Sequence, residues 1–170
     1  PGATIARTIE LEVTAPLYTE LDEPGTVLTR GDDGMPFRNG ETQFGVLVRV
    51  PCSVVEAGVP ARVLQYGHGL LGSRSEGRTG WLSRMADEHG WIVVATDWTG
   101  MSEDDIGDIV LMSAEDPSRF AIVPERGMQG IVQQLLVVPL ITGDLMDDPM
   151  LQVNGQTLVD PDALSYYGNS

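Results

Sequence analysis

Basic residues are scarce in this chain: ten Lys and Arg stand against 25 Asp and Glu, a formal net charge of −15. Such a charge repels phosphate backbones and anionic headgroups, which argues against nucleic acid and membrane-surface partners and leaves neutral or cationic substrates free to approach. It also suits a strongly solvated surface. Cys52 is the single cysteine, so it can form no internal disulfide, cysteine–histidine metal cluster or CxxC redox motif, and it reads as a small core residue. Long hydrophobic runs are missing too: no stretch of about 18 apolar residues, the length that spans a bilayer, occurs. The start, Pro1-Gly2-Ala3, has neither the charged nor the apolar region of a signal peptide. No membrane span is expected. A removed leader would leave no trace, so the compartment stays open, with secretion or the periplasm favoured over the cytoplasm.

What is present suffices for one domain with a real core: 170 residues, of which 42% are hydrophobic. Residues 1–60 read as β-rich. Ile5, Ile9, Leu11 and Val13 alternate with Arg7, Glu10 and Glu12, and Phe44 to Val50 is rich in branched residues, so a strand is expected in each. Between them Asp22-Glu23-Pro24-Gly25 and Gly31-Asp32-Asp33-Gly34 carry turn chemistry rather than the ligand spacing of a helix-loop-helix calcium site. Residues 61–170 alternate strand and helix, the pattern of a largely parallel sheet covered on both faces. The expected order is a strand at Val63–Tyr66, a helix at Trp81–His89, an apolar strand at Trp91–Thr96, and a helix start at Ser102-Glu103-Asp104-Asp105. A long helix follows from about Pro124 to Gly143, bent at Pro139, with Gly127 and Gly130 allowing close packing. After the turn residues Asn154-Gly155 and Asp160-Pro161, a last strand is expected at Ala163–Tyr167. There is no internal repeat and no low-complexity tract.

The loop Gly67-His68-Gly69-Leu70-Leu71-Gly72, directly after a strand, supports two readings. It matches the G-x-G-x-x-G fingerprint of a dinucleotide-binding oxidoreductase, and Asp97 after the next strand resembles the acid that would hold a ribose. The fingerprint should open a helix at once, however, whereas Ser73-Arg74-Ser75-Glu76-Gly77 looks like more loop. In the second reading, His68-Gly69-Leu70-Leu71-Gly72 resembles the H-G-x-x-G oxyanion loop of α/β-hydrolase lipases and esterases. Tyr167-Gly168-Asn169-Ser170 resembles the first half of their nucleophile elbow, G-x-S-x-G. The resemblance covers roughly residues 44–170, with both motifs in the family's order.

The resemblance implies the N-terminal half of an α/β-hydrolase domain (1–170): a mostly parallel sheet with helices on both faces, preceded by antiparallel strands. It implies an ester hydrolase with Ser170 as nucleophile, the backbone N–H of Leu70 in the oxyanion hole, His68 and Gly69 supporting that loop, and Gly168 and Asn169 forming the elbow. No cofactor or metal is implied. The family's acid and histidine follow the serine, so His68 is read as ordering its loop and not as the base. His89 reads as a surface residue, Asp97 as a strand-end cap, and the alternative for Ser170 is a plain terminal serine. The expected partner is a C-terminal segment of the same hydrolase that completes the sheet and the triad, without which the chain is inactive and exposes an apolar edge. Neither an N-to-O acyl shift, which cuts before a serine, nor asparagine cyclisation, which cuts after Asn169, would leave Ser170 last. Leu70 and Leu71 beside the oxyanion site point to small apolar esters. A non-catalytic binding module on the same scaffold is the alternative from another class.

Overall fold

The alternation that begins at Ile5 persists beyond Val13: Ile5–Leu17 (β1) is a single strand of 13 residues whose side chains alternate between half-buried and exposed for most of its length. A computed structural model describes residues 2–169. β1 runs antiparallel to Gly40–Pro51 (β2), with Leu11 opposite Val46 and Leu17 opposite Gly40. The connection between them is built from the expected turns. Gly25 and Gly34 take φ of 79° and 76°, and Asp33 Oδ1 accepts the Met35 N–H at 3.0 Å.

Pro51 then starts a short helix not anticipated from the sequence, Cys52–Ala57 (α1), which stops at Gly58 in the left-handed region. Six residues carry too little periodicity to be seen in the sequence, and tertiary bonds hold the element: Ser53 N–H and Oγ donate to Asp87 Oδ1 (2.9 Å) and Asp87 O (2.7 Å). Cys52 is half-buried there, not a core residue.

Next come Ala61–Gly67 (β3), Gly80–His89 (α2), the wholly buried strand Ile92–Thr96 (β4), Ile106–Glu115 (α3) and Ile122–Thr142 (α4). α3 is entered through a tight turn at 103–105, capped reciprocally by Ser102 and Asp105, so the acidic run starts a helix as its side chains suggest. Pro139 lies inside α4 without ending it. A small hairpin, Gln152–Val153 (β5) and Gln156–Thr157 (β6), turns on Asn154 and Gly155, whose φ values of 53° and 77° are the pair that a tight hairpin needs. The last strand, Val159–Gly168 (β7), is longer than its apolar part because Asp160-Pro161-Asp162 bulges out of the pairing with β3. Asp160 Oδ1 accepts the Asp162 N–H at 3.0 Å, so these residues make a local turn within the strand.

The five long strands form one sheet in the order β1-β2-β4-β3-β7. β1/β2 and β2/β4 are antiparallel; β4/β3 and β3/β7 are parallel. The architecture is α/β, with a parallel part confined to three strands. Both faces of the inner strands are covered, as near-continuous apolar runs require. On one face Val46, Val48, Val63 and Val94 pack with Val137 and Ile141 of α4. On the other, Leu64, Tyr66, Val93 and Ala95 pack with Leu82 and Ala86 of α2.

Residues 117–147, which contain α4, are long and apolar enough to cross a membrane by length and composition, although the chain has no uninterrupted apolar run of about 18 residues. In the fold this helix lies on the sheet through a polar ladder. Gln129 accepts the Tyr18 N–H (2.8 Å) and donates to Pro16 O (3.0 Å), Gln133 accepts from Thr99 Oγ1 (2.6 Å), and Gln134 accepts from Gln65 Nε2 (2.8 Å). Of the two glycines expected to allow close packing, Gly130 does so, since a Cβ there would overlap the Thr99 carbonyl, whereas a Cβ at Gly127 would meet nothing within 4 Å; the close approach at Gly127 depends on Gly100, whose Cβ would overlap the backbone at Arg126–Gly127.

Candidate active site

At the carboxyl ends of β3 and β7 the strand order reverses. The chain leaves β3 through α2 for β4 on one side, then returns through α4 to β7 on the other. In open α/β sheets such a reversal opens the crevice where ligands bind. Gly67 and Gly168 are register partners there, and the Asn169 N–H donates to Gly67 O at 2.8 Å. The glycine loop and the start of the elbow motif therefore lie side by side. Ser170 falls outside the described residues.

The loop after β3 is held from several directions. The Leu71 N–H donates to Met101 O (2.8 Å), the Gly72 N–H to Gly69 O (2.8 Å), and Gly72 O accepts the Glu103 N–H (2.9 Å). Leu71 sits at φ 58°, an uncommon conformation for a branched side chain that these bonds impose. His68 is buried, with both ring nitrogens engaged: the Trp98 N–H donates to Nε2 (2.7 Å), which leaves Nδ1 to carry the ring proton and donate to Gly69 O (2.8 Å). It thereby ties the loop to the end of β4. Leu70 projects outward, 69% exposed, and its N–H has no partner among the described residues.

Glu76 is the group that the motifs do not reveal. It sits in a tight turn at 74–78, and its half-buried carboxylate accepts from Tyr66 O–H (2.8 Å), Gly69 N–H (3.2 Å) and Asn169 Nδ2 (3.1 Å). Burial pushes its carboxyl up, but the bonds from Asn169, Tyr66 and Gly69 together outweigh this and hold it below the usual carboxylate range. Burial, followed by the bond to Glu76, pushes the Tyr66 phenol up to about 12. Ser73-x-x-Glu76 has the spacing of a helix-capping box, so the sequence signal for this glutamate points to the wrong role. Ser73 makes no such cap, and its hydroxyl lies 2.7 Å from that of Ser75. Beneath the site Tyr167 stacks on Tyr66 (centroids 5.9 Å) and meets Trp81 edge-on at 6.1 Å.

The same geometry disfavours the dinucleotide reading. The first α-helix after the loop starts only at Gly80, well beyond the glycines, so the loop does not open directly into a helix as the fingerprint requires. A carboxylate already bonds the Gly69 N–H and crowds Gly72, where a pyrophosphate would need positive potential. Asp97 is occupied as well. It accepts the Arg74 N–H at 2.7 Å and pairs with the Arg74 guanidinium, a structural cap. His89 is an exposed residue at the end of α2, stacked on Trp91 at 5.0 Å. Among the described residues no group of three metal-ligating side chains gathers.

An apolar groove of about 490 Å³ beside the loop is lined by Leu70, Leu71, Ile109, Met112, Phe120 and Val123. A separate polar cleft of about 520 Å³ is lined by residues that include Glu12, Asp22, Arg74, Asp97 and Asp104. The apolar residues of α3 were not legible as groove lining, because a groove needs the helix and the loop placed together.

No protein-family model matches the chain, and no curated protein matches it. Among solved structures it is similar to a cold-adapted esterase from an Arctic intertidal metagenomic library, at 13% identity and a TM-score of 0.41 over 99% of this chain and 54% of that one. It is also similar to S-formylglutathione hydrolase from Staphylococcus aureus, at 12% identity and a TM-score of 0.30 over 71% of this chain and 43% of that one. The chain thus spans about half the length of these structures. Its α/β architecture stands on the strand order and helix placement themselves.

Proposed function

We propose that residues 1–170 are the N-terminal part of a single α/β-hydrolase domain that cleaves carboxylic esters through Ser170. The observation that carries this reading is the Gly67–Gly168 register, which sets the H-G-x-x-G loop beside the strand end leading to Ser170 at the reversal of the sheet. Ser170 Oγ attacks the ester carbonyl while a histidine on a C-terminal segment takes its proton. The Leu70 N–H and the N–H following Ser170 bind the oxyanion, the alcohol leaves with the proton, and water then releases the acid. Gly168 and Asn169 carry the elbow, and His68 and Gly69 keep the loop in shape. No cofactor takes part.

The proposed partner is the C-terminal segment that supplies acid, histidine and further strands. In its favour, β7 is bonded on one side only in the described sheet, with Tyr166 and Tyr167 exposed, and Met128, Ile131 and Leu135 form an exposed stripe on α4. The chain by itself is expected to be inactive. The groove along Leu70, Leu71 and Phe120 favours an apolar acyl group, and the negative charge disfavours anionic substrates.

The test is fluorophosphonate labelling of the protein containing this chain and its C-terminal complement. Label on Ser170, abolished by Ser170→Ala, is expected, together with hydrolysis of short to medium p-nitrophenyl esters in preference to peptides. An unlabelled serine, with or without NAD binding, would overturn the reading, and faster amide than ester cleavage would overturn the substrate class.

A further inference from the structure

We propose that Glu76 is a positioning residue that fixes the oxyanion loop relative to the strand end bearing Ser170; this rests on the esterase reading. Among the described residues its carboxylate touches all three pieces around the site. Oε1 takes the Gly69 N–H, immediately before the amide assigned to the oxyanion, and Oε2 takes the Tyr66 hydroxyl at the end of β3 and the Asn169 amide, immediately before the nucleophile. These segments come from distant parts of the chain, and at the strand ends the Asn169 N–H also donates to Gly67 O. That bond sets the height of β7 against β3, and the bonds to Met101, Glu103 and, through His68, Trp98 tie the loop to the β4 side. Glu76 adds the tie to the elbow side, because it bonds Gly69 and Asn169 through the same carboxylate. Its neighbour Gly77 is buried and packed near Leu47 and Ala95, so the turn carrying Glu76 rests on the sheet core.

The chemistry gives this position a kinetic signature. Charge develops on the substrate oxygen only in the transition state, so misalignment of the Leu70 N–H lowers kcat and leaves KM largely alone. The conservative variant discriminates further. A glutamine keeps an oxygen for the Gly69 N–H and turns its NH₂ towards the Tyr66 hydroxyl and the Asn169 amide, both of which can present an oxygen instead. An alanine keeps none of these bonds.

The experiment compares wild type, Glu76→Ala and Glu76→Gln in the intact protein, by ester kinetics, fluorophosphonate labelling rate and hydrogen exchange at Gly69. Glu76→Ala is expected to lower kcat and the labelling rate by about 10- to 100-fold, as angstrom-scale misplacement does. KM should stay within about threefold and the Gly69 amide should lose protection, while Glu76→Gln restores most of both. Unchanged kcat and unchanged Gly69 protection in Glu76→Ala would overturn the proposal, as would equal losses in both variants. If Glu76→Ala fails to fold, Glu76→Gln and Tyr66→Phe decide: Glu76→Gln should keep near wild-type Gly69 protection and labelling while Tyr66→Phe, which removes one bond from the carboxylate, lowers both, and unchanged values of both in Tyr66→Phe would overturn the proposal. A wild-type protein that takes no label refutes the esterase reading alone, since Gly69 exchange still tests the positioning.

Discussion

Gly127 and Gly130 lie one turn apart in α4, and the same substitution at the two should have opposite signs. Helix propensity alone favours alanine over glycine by about 1 kcal/mol at either position. A Cβ at Gly127 meets nothing within 4 Å, so Gly127→Ala should be stabilising by roughly 0.5–1 kcal/mol. At Gly130 the Cβ would overlap the Thr99 carbonyl and lie 2.6 Å from Trp98 Cδ1. The carbonyl is backbone and cannot rotate aside, and its segment is held by Thr99 Oγ1 on Gln133 and Trp98 N–H on His68. Overpacking of that kind costs about 1–3 kcal/mol or more and outweighs the propensity gain. The assay is urea unfolding of the intact protein with the m-value checked for constancy, where the Gly130→Ala midpoint should fall by roughly 0.5 M and at most about 1 M. A Gly130→Ala midpoint at or above wild type, or shifts of the same sign at both glycines, would refute the reasoning.

Three further outcomes follow from buried polar groups. Asp105 accepts Gly100 N–H (2.8 Å), Ser102 N–H (3.0 Å) and Arg126 Nε (2.6 Å) in a nearly dry setting, so Asp105→Ala should be destabilising by about 3–5 kcal/mol in denaturant unfolding, and a loss under about 1 kcal/mol would contradict the network. Burial pushes the Glu125 carboxyl up, but Arg30 and the Leu28 N–H outweigh it and leave it below its ordinary value. A lowered folded pKa gives stability that is present above the unfolded value and lost as pH falls through the folded one. Wild type should therefore lose more stability than Glu125→Gln between about pH 5 and pH 3, and parallel curves would refute the assignment. The Tyr66 phenol, raised to about 12, should ionise last in an ultraviolet alkaline titration, and Tyr66→Phe should remove that final step.

Period and punctuation were legible in the sequence. The two-residue alternation from Ile5, the apolar run 92–96 and the glycines at 25, 34 and 155 each encode a backbone preference within a few residues, and the strands and turns formed there. The helix start at Ser102–Asp105 was equally local, and so was the close-packing Gly130 of α4, whereas Gly127, read in the same way, has open space at its Cβ. The two motifs identified a loop and a strand end, and their side chains explain the chemistry proposed for them. Their meeting was not local. Gly67 faces Gly168 because β7 inserts beside β3 on the side away from β4, a choice made by burial of both sheet faces under α2 and α4. Asp97 has the residue type and place of a ribose ligand until Arg74 is folded against it. Glu76 has the spacing of a helix cap, yet its partners are Tyr66, Gly69 and Asn169. A carboxylate's role depends on which donors reach it. For residues distant in sequence, tertiary packing alone sets that distance, whereas turns and strands depend on neighbours that the chain already holds together.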